Sequence, residues 1–166
     1  WKQKRYNADL PWPPPGVTLQ MEYRHSDENL KNIKFFVNYE LYDSIPLMCK
    51  WIEVENRGKE RVRLNSFVSE YLAVVESEVT VENNETWSTP NIHIESDFEF
   101  HGMTPKTANE TAFWVPDSQY MSQVNYLRQT PCLLECRLPM GPNIILEKGD
   151  KYESFRTWEL LYDTTE

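Results

Sequence analysis

Apolar and polar residues alternate along most of the chain with a period of two, the pattern that predicts β-strands. In GVTLQMEYR at 16–24, every second residue from Val17 to Tyr23 is apolar and the residues between them are polar. The segment IKFFVNYELYD at 33–43 repeats this pattern. Because side chains alternate between the two faces of a strand, each segment predicts a strand with one apolar and one polar face.

The segment LMCKWIEVEN at 47–56 differs because both of its faces are apolar in the middle. Cys49 and Trp51 fall on one face, and Met48 and Ile52 fall on the other. This pattern predicts a central strand that is covered on both sides over part of its length. We expect Trp51 to pack between two sheets.

Turn signals recur about every ten residues and divide the rest of the chain into short strands. NRGK at 56–59 and EKGDK at 147–151 each contain a glycine, and each predicts a hairpin. Further strands are predicted in YLAVVESEVTVEN (71–83), NIHIESDFEFHG (91–102), AFWV (112–115), TPCLLECRLP (130–139) and NIILEKGDKYESFRTWELLYD (143–163). No segment holds a convincing helical period. The sequence therefore predicts an all-β fold, an antiparallel β-sandwich of about 10–12 strands.

The first residues break the alternation. PWPPPG at 11–16 cannot be helical, because proline lacks a backbone donor and restricts the residue before it. We predict an extended Pro-rich arm over 1–16 and a single β-sandwich domain over 17–166. The length of 166 residues suits one domain with its own core.

The net charge of −9 comes from 26 acidic and 17 basic residues. It argues against nucleic acid and against anionic membrane surfaces as partners, since both attract clustered lysine and arginine. No apolar run is long enough for a transmembrane helix, and the opening WKQKRYNADLPW lacks the apolar core of a signal peptide. The opening on Trp suggests a fragment or a processed product. The localisation is therefore left open, with a periplasmic or extracellular one favoured.

The three cysteines, Cys49, Cys132 and Cys136, cannot all pair within one chain. On a strand, the spacing of Cys132 and Cys136 places them on one face about 13 Å apart, which is too far for a disulfide. We predict that all three are reduced and buried as small apolar residues.

The segment HIESDFEFH at 93–101 carries the most suggestive polar cluster. If it forms one strand, five titratable side chains project from the same face: His93, Glu95, Asp97, Glu99 and His101. Same-face neighbours lie about 6.5 Å apart, so five cannot converge on one metal ion. Two of them, such as His93 and Glu95, could contribute to a metal site with help from another strand. We favour a solvated outer face and predict no metal and no cofactor.

The sequence contains no recognisable catalytic motif. We find no Gly-rich phosphate loop, no GxSxG and no HExxH. Cys49 lies in an apolar strand, without the partnered histidine that a nucleophile needs. A glycosidase needs two carboxyl groups about 5–10 Å apart, and no segment of the sequence indicates such a pair. We predict no catalytic residue in this chain.

Aromatic residues near loops are candidates for carbohydrate binding, because flat rings stack on the apolar faces of sugars. The candidates are Trp12, Trp87 and Trp114, with Asp117 close to Trp114 as a partner for sugar hydroxyls. The competing interpretation is that each tryptophan closes an end of the sandwich by burying a large area.

Residues 39–76 resemble the amino-terminal β-sandwich domain of melibiase-type α-galactosidases and related glycoside hydrolases. The resemblance depends on a Tyr-Glu-x-Tyr-Asp strand, a proline, Lys-Trp, Asn-x-Gly and a Val/Leu-rich return strand. The matching residues are Tyr39, Glu40, Tyr42, Asp43, Pro46, Lys50, Trp51, Asn56, Gly58, Val62 and Leu64. PWPPPGVTLQMEY at 11–23 and YESFRTWELLYDTT at 152–165 are also similar. Ser44 departs from the pattern, which has glycine there.

The resemblance implies a supersandwich domain of the galactose-mutarotase-like type, followed in the same chain by a catalytic (β/α) barrel. This domain would be non-catalytic, would pack on the barrel, and would shape the entrance of the active site; a homo-oligomer is also compatible. An alternative is an autonomous carbohydrate-binding module. A third hypothesis is a small mutarotase-type enzyme, which needs His93 or His101 to converge with Glu95 or Asp97 in a groove.

Overall fold

The structure, a computed structural model, describes residues 14–74, 86–99, 102, 104 and 106–163. These residues form eleven strands, and every strand pairing is antiparallel. The strands are β1 (Gly16–Arg24), β2 (Ile33–Tyr42), β3 (Leu47–Asn56), β4 (Val62–Leu64), β5 (Val68–Ala73), β6 (Ile92–Ser96), β7 (Ala112–Val115), β8 (Leu133–Arg137), β9 (Ile144–Leu146), β10 (Lys151–Glu153) and β11 (Thr157–Leu161). The prediction of an all-β antiparallel fold is confirmed.

The main sheet has six strands in the order β1-β2-β3-β11-β6, and β10 pairs with β3 beyond the end of β11. The long strands β1 and β2 pair over their whole length, with Gly16 opposite Tyr42 and Arg24 opposite Lys34. β3 is central, as its two apolar faces predicted, because β2 pairs with one of its edges and β10 and β11 pair with the other.

Two smaller sheets, β5-β8-β7 and β4-β9, form a second layer over one face of the main sheet, which we call the inner face. At one end, Ile33 and Val54 of the main sheet pack on Leu146 of β9. Farther along, Ile94 packs on Leu134 and on other residues of the three-stranded sheet. The result is a sandwich-like fold whose core lies between unequal layers.

Both predicted hairpins are wrong, because each turn carries the chain from one layer to the other. NRGK joins β3 to β4, but β4 pairs with β9. EKGDK joins β9 to β10, but β10 pairs with β3. The local reversal at EKGDK exists, with Gly149 in the left-handed region at φ 89°. A turn signal predicts that the chain reverses, and it does not say which strand pairs with which.

Both layer changes are held by one fully buried residue, Asn56, at the end of β3. Its side-chain amide donates two hydrogen bonds, and its side-chain oxygen and backbone groups make three more. The five partners are Glu60 O, Leu146 O, Gly58 N, Asp150 O and Gly149 N, at 2.7 to 3.0 Å. The amide therefore ties both crossings to the same corner of the main sheet.

Trp51 is buried, with 6% of its surface exposed, but it does not lie between the sheets as expected. Its neighbour Lys50 points inward and pairs with Glu70 of β5. Side chains alternate along β3, so Trp51 points to the opposite, outer face. There the Arg156 guanidinium covers its ring at 4.3 Å, and its Nε1 donates to a carboxylate oxygen of Glu53 at 3.3 Å.

Cys49, Cys132 and Cys136 are free and buried, which confirms the prediction made for them. Burial is the main cause that raises the pKa of the Cys49 thiol to about 12, and the same holds for the pKa of Cys136. Cys49 lies in the main sheet and Cys136 lies in β8 of the second layer. Within the described part of the chain, no helix is long and apolar enough to cross a membrane. Most of the predicted arm, residues 1–13, lies outside the described residues.

We expect Asn56→Ala to lower the free energy of unfolding by about 2–4 kcal/mol. The substitution removes the partner of the buried Leu146 carbonyl and of two partly buried groups, the Glu60 carbonyl and the Gly58 amide. Each buried group left without a partner costs about 1–3 kcal/mol, with partial relief from water. Urea unfolding followed by tryptophan fluorescence measures the change. The control is Asn29→Ala at an exposed site, which we expect to stay within about 0.5 kcal/mol of wild type. Equal stabilities for the two variants would contradict the role assigned to Asn56.

Candidate functional site

Three charged residues lie on the inner side of the sandwich, where an apolar residue is expected. They are Lys50 of β3, Glu70 of β5 and Glu159 of β11. The Lys50 ammonium nitrogen lies 2.9 Å from Glu70 Oε1. Glu159 lies opposite Met48 on the neighbouring strand, so it shares the inner face with Lys50. Glu70 and Glu159 are buried, with 6% and 4% of their surfaces exposed.

The carboxyl group of Glu159 interacts with that of Glu70, and this interaction favours a proton on Glu159. Burial, together with the charge and hydrogen bond of Glu70, raises the pKa of Glu159 to about 7, while Lys50 opposes the shift. Burial by itself would lower the pKa of Lys50, but the hydrogen bond and charge of Glu70 outweigh it and raise that pKa. Lys50 and Glu70 therefore form an ion pair, beside a Glu159 that titrates near neutrality.

A pocket of about 300 Å³ opens beside Glu159. Its other lining residues are apolar: Leu41, Ile45, Pro46, Leu47, Met48, Leu72, Ile92 and Leu161. Oε1 of Glu159 is buried and has no hydrogen-bond partner among the residues that the structure describes. The pocket thus has a wall that is apolar apart from Glu159.

The inner face of β1 and β2 carries a continuous set of apolar and aromatic side chains, which we call the open apolar face. The register of β1 and β2 places these side chains opposite one another. The members of the face are Val17, Leu19, Met21, Tyr23, Phe35, Val37, Tyr39 and Leu41. Val17, Leu19 and Leu41 are 62%, 54% and 51% exposed. This face continues into the pocket beside Glu159, because Leu41 lines both.

The residues proposed for carbohydrate binding that the structure describes lie in three different environments. Trp12 lies outside the described residues. Trp87 is half-buried, and its indole nitrogen is buried. Trp114 is half-buried in β7 and packs on the core. Asp117 is buried, and its Oδ1 accepts hydrogen bonds from two backbone amides of the following turn. Trp114 and Asp117 therefore have structural roles, and the carbohydrate site stays a prediction.

His93 and Glu95 project from the outer face of β6 and are exposed. Their side chains are 2.9 Å apart and contact each other. The strand ends at Ser96, so the expected row of five titratable side chains does not continue along it. The described residues contain no group of three or more histidine, cysteine or acidic side chains able to hold a metal. The exposure of His93 and Glu95 argues against the mutarotase-type hypothesis, and His101 lies outside the described residues.

Sequence reasoning missed Lys50, Glu70 and Glu159. The available signal was their position on the strands: each charge lies at a position that can face inward. Glu159, for example, alternates with Thr157 and Leu161 in TWELL. What the pattern could not show is that three strands distant in sequence bring these charges together.

A comparison of the chain with protein-family models, curated proteins and solved structures found no match. The resemblance to the amino-terminal domain of α-galactosidases therefore stays a prediction.

We expect Glu159→Gln to stabilise the protein increasingly as pH rises. The pKa of Glu159 is raised from about 4.5 to about 7, so the folded state binds its proton more tightly than the unfolded state. The stability due to this carboxyl is full below pH 4.5 and is lost as pH rises through about 7. Glutamine stays neutral and can still donate to Glu70, so the variant should gain up to about 3 kcal/mol above that range.

Chemical unfolding of both proteins at about pH 5 and about pH 8 measures this difference. The control is Glu147→Gln at an exposed site, for which we expect a difference from wild type of less than about 0.5 kcal/mol at both pH values. A Glu159→Gln effect that is the same at both pH values would contradict the assignment.

Proposed function

We propose that the chain is a non-catalytic β-sandwich domain of a glycoside hydrolase of the α-galactosidase type. In this proposal the open apolar face packs on a catalytic barrel, and the domain shapes the entrance of the barrel's active site. The observation that carries the proposal is the open apolar face itself. Contiguous apolar surface of this kind is uncommon on soluble monomers and marks sites of interaction.

The geometry of the open apolar face suits docking of a second domain. Two long paired strands provide a regular surface, and the described members of that surface are all apolar or aromatic. The face carries no charge that would need a specific partner, so burial of apolar area would supply most of the binding free energy. The part of this face around Val17 and Leu41 is continuous with the pocket beside Glu159. The pocket therefore gives a docked domain a recess to fill.

The turn at Ser44 supports the resemblance from which the proposal starts. Ser44 has φ 64°, in the left-handed region that glycine enters without strain. The resembled family has glycine at this position, so a glycine there would suit the same turn between β2 and β3. The departure from the family pattern is therefore compatible with an unchanged backbone.

The buried carboxyl pair supports placing the chemistry in another domain. Retaining and inverting glycosidases need two carboxyl groups separated by about 5–10 Å, so that the sugar lies between them. Glu70 and Glu159 are instead buried inside the sandwich, with 6% and 4% of their surfaces exposed. Carboxyl groups at this depth are not accessible to a sugar.

The proposal is tested first by reading the coding sequence beyond this segment, which should encode a (β/α) barrel with acidic residues at strand ends. The barrel and this chain, expressed as separate polypeptides, should then associate in a titration followed by calorimetry. We expect Leu19→Glu to weaken that association at least tenfold, because it places a charge in the apolar interface.

The matched control is Thr18→Glu, one residue away on the same strand but on the outer face. It should leave the association within about twofold of wild type, and both variants should unfold at the urea concentration of wild type because both sites are exposed. A coding sequence without a barrel, or equal binding by both variants, would contradict the proposal. Binding of galactosides by the isolated chain would favour the alternative, an autonomous carbohydrate-binding module.

A further inference from the structure

We propose that the free edge of β1 pairs with β1 of a second copy of the chain, so that the two main sheets join into one continuous sheet. β1 is the first strand of the main sheet, and among the described strands it pairs with β2 alone. This inference does not depend on the docking role proposed above, which uses the inner face of β1 and leaves its edge unoccupied. It depends on the backbone groups, the length and the side-chain pattern of this edge.

A hydrogen bond at the start of β1 shows which backbone groups point to the free edge. The Asp43 amide donates to the Pro15 carbonyl at 2.8 Å, and this pair extends the register of β1 and β2 by one residue. In an antiparallel pair, alternate residues bond to the neighbouring strand, and the residues between them point their N–H and C=O groups away from it. Odd-numbered residues of β1 therefore bond to β2. The residues whose backbone groups point to the free edge are Gly16, Thr18, Gln20, Glu22 and Arg24.

The edge of β1 lacks the features that usually keep edge strands of different molecules apart. Such strands are protected by proline, by a bulge, by inward-pointing charges or by short length. β1 has nine residues, none of which is proline, and it pairs with β2 at nine successive positions without a bulge. Its inward-pointing side chains are apolar or aromatic. By contrast, β6 at the other edge of the main sheet has five residues, and its Ser96 amide already donates to the Ala108 carbonyl at 3.0 Å.

Two antiparallel copies of β1 can satisfy the whole edge of each other. Gln20 is the middle residue of β1, so a two-fold axis at Gln20 brings every edge-facing residue opposite an edge-facing residue of the second copy. The five pairs exchange two hydrogen bonds each, which gives about ten in all. A typical protein–protein interface has about this number of direct hydrogen bonds.

The side chains are compatible with the same register. On the inner face, Leu19 lies opposite Met21 of the second copy, so apolar residues of the two strands meet. On the outer face, the charged residues Glu22 and Arg24 both lie opposite uncharged residues, so no like charges face each other directly.

The rigidity of β1 favours a second copy over a flexible peptide as the partner. A disordered peptide loses conformational entropy when it becomes a strand, and this loss weakens its binding. In a second copy, β1 is already held in a strand by β2. The second layer lies over β3 and the strands beyond it, so it does not cover the edge at which the two copies meet.

Sedimentation equilibrium of the purified chain at about 1–200 µM tests the dimer. We expect the mass to rise from 19.8 kDa towards twice that value. Thr18→Pro removes an N–H that points to the free edge and none that bonds to β2, so the monomer should stay folded by circular dichroism while the dimer weakens at least tenfold. The matched control Thr18→Val keeps the N–H and should dimerise within about twofold of wild type.

A chain that stays monomeric over this range would overturn the proposal. So would a folded Thr18→Pro variant that dimerises like wild type. Dimerisation through the open apolar face, which Leu19→Glu would abolish and Thr18→Pro would leave intact, would overturn it as well.

Cysteine cross-linking tests the register without proline. At the two-fold axis, the two copies of residue 20 would have Cα atoms about 5.5 Å apart, within reach of a disulfide, whereas the two copies of residue 18 would be at least about 13 Å apart. With diamide as the oxidant, Gln20→Cys should form a covalent dimer at least tenfold faster than Thr18→Cys. The native cysteines are buried and should not contribute. Equal rates for the two variants would contradict the pairing.

A measurement on the wild-type protein covers the case in which a substitution disturbs β1. Amide hydrogen exchange at Gln20 should slow at least tenfold between the lowest and the highest concentration, because its N–H becomes bonded only in the dimer. The amide of Leu19 bonds to β2 in either state and provides the internal reference. A Gln20 amide that exchanges equally fast in the monomer and in the dimer would overturn the proposal.

Discussion

A single buried amide determines how the two layers of this protein meet. The chain leaves the main sheet after β3 and returns to it before β10, and the side chain and backbone of Asn56 bond to both crossings. No other uncharged side chain can donate two hydrogen bonds and accept one at such a junction in the same way, apart from the longer glutamine. The second layer is therefore anchored at one end of β3, over β3 and the strands beyond it, while β1 and β2 keep exposed apolar side chains.

The unequal layers account for both candidate surfaces. The main sheet is wide, and most of the exposed apolar side chains of its inner face lie on β1 and β2, where Val17 and Leu19 face solvent. At the boundary between the covered and the open part, Leu41 and Met48 form one wall of the pocket beside Glu159. The open apolar face and the pocket beside Glu159 thus have a common origin.

The sequence predicted the strands better than their partners. Alternation placed β1, β2, β3 and β7 well, because it depends only on which residues are apolar. It could not place β4 and β9 beside each other, since the turns next to them carry the chain from one layer to the other instead of joining paired strands. Trp51 shows the same limit: alternation separates the two faces of β3 correctly, but the face that receives the second layer is a tertiary property.

The candidate site was even less accessible to sequence reasoning. Lys50 and Glu70 are 20 positions apart, and Glu159 lies far beyond both, so their meeting depends on the order of strands in two sheets. The candidates that the sequence did suggest were aromatic residues near turns and a polar strand. The structure instead uses Trp114 in the core and places His93 at the surface.

The buried thiols can report how this molecule opens when it unfolds. Alkylating reagents attack the thiolate, and Cys49 and Cys136 hold their protons firmly while the sandwich is closed. One thiol belongs to the main sheet and the other to the layer above it. Cys49 shares the outer face of the main sheet with Trp51, whereas Cys136 packs in the core between the layers. The relative rates at which the two are modified would therefore reveal whether the core opens together with the outer face of the main sheet or separately.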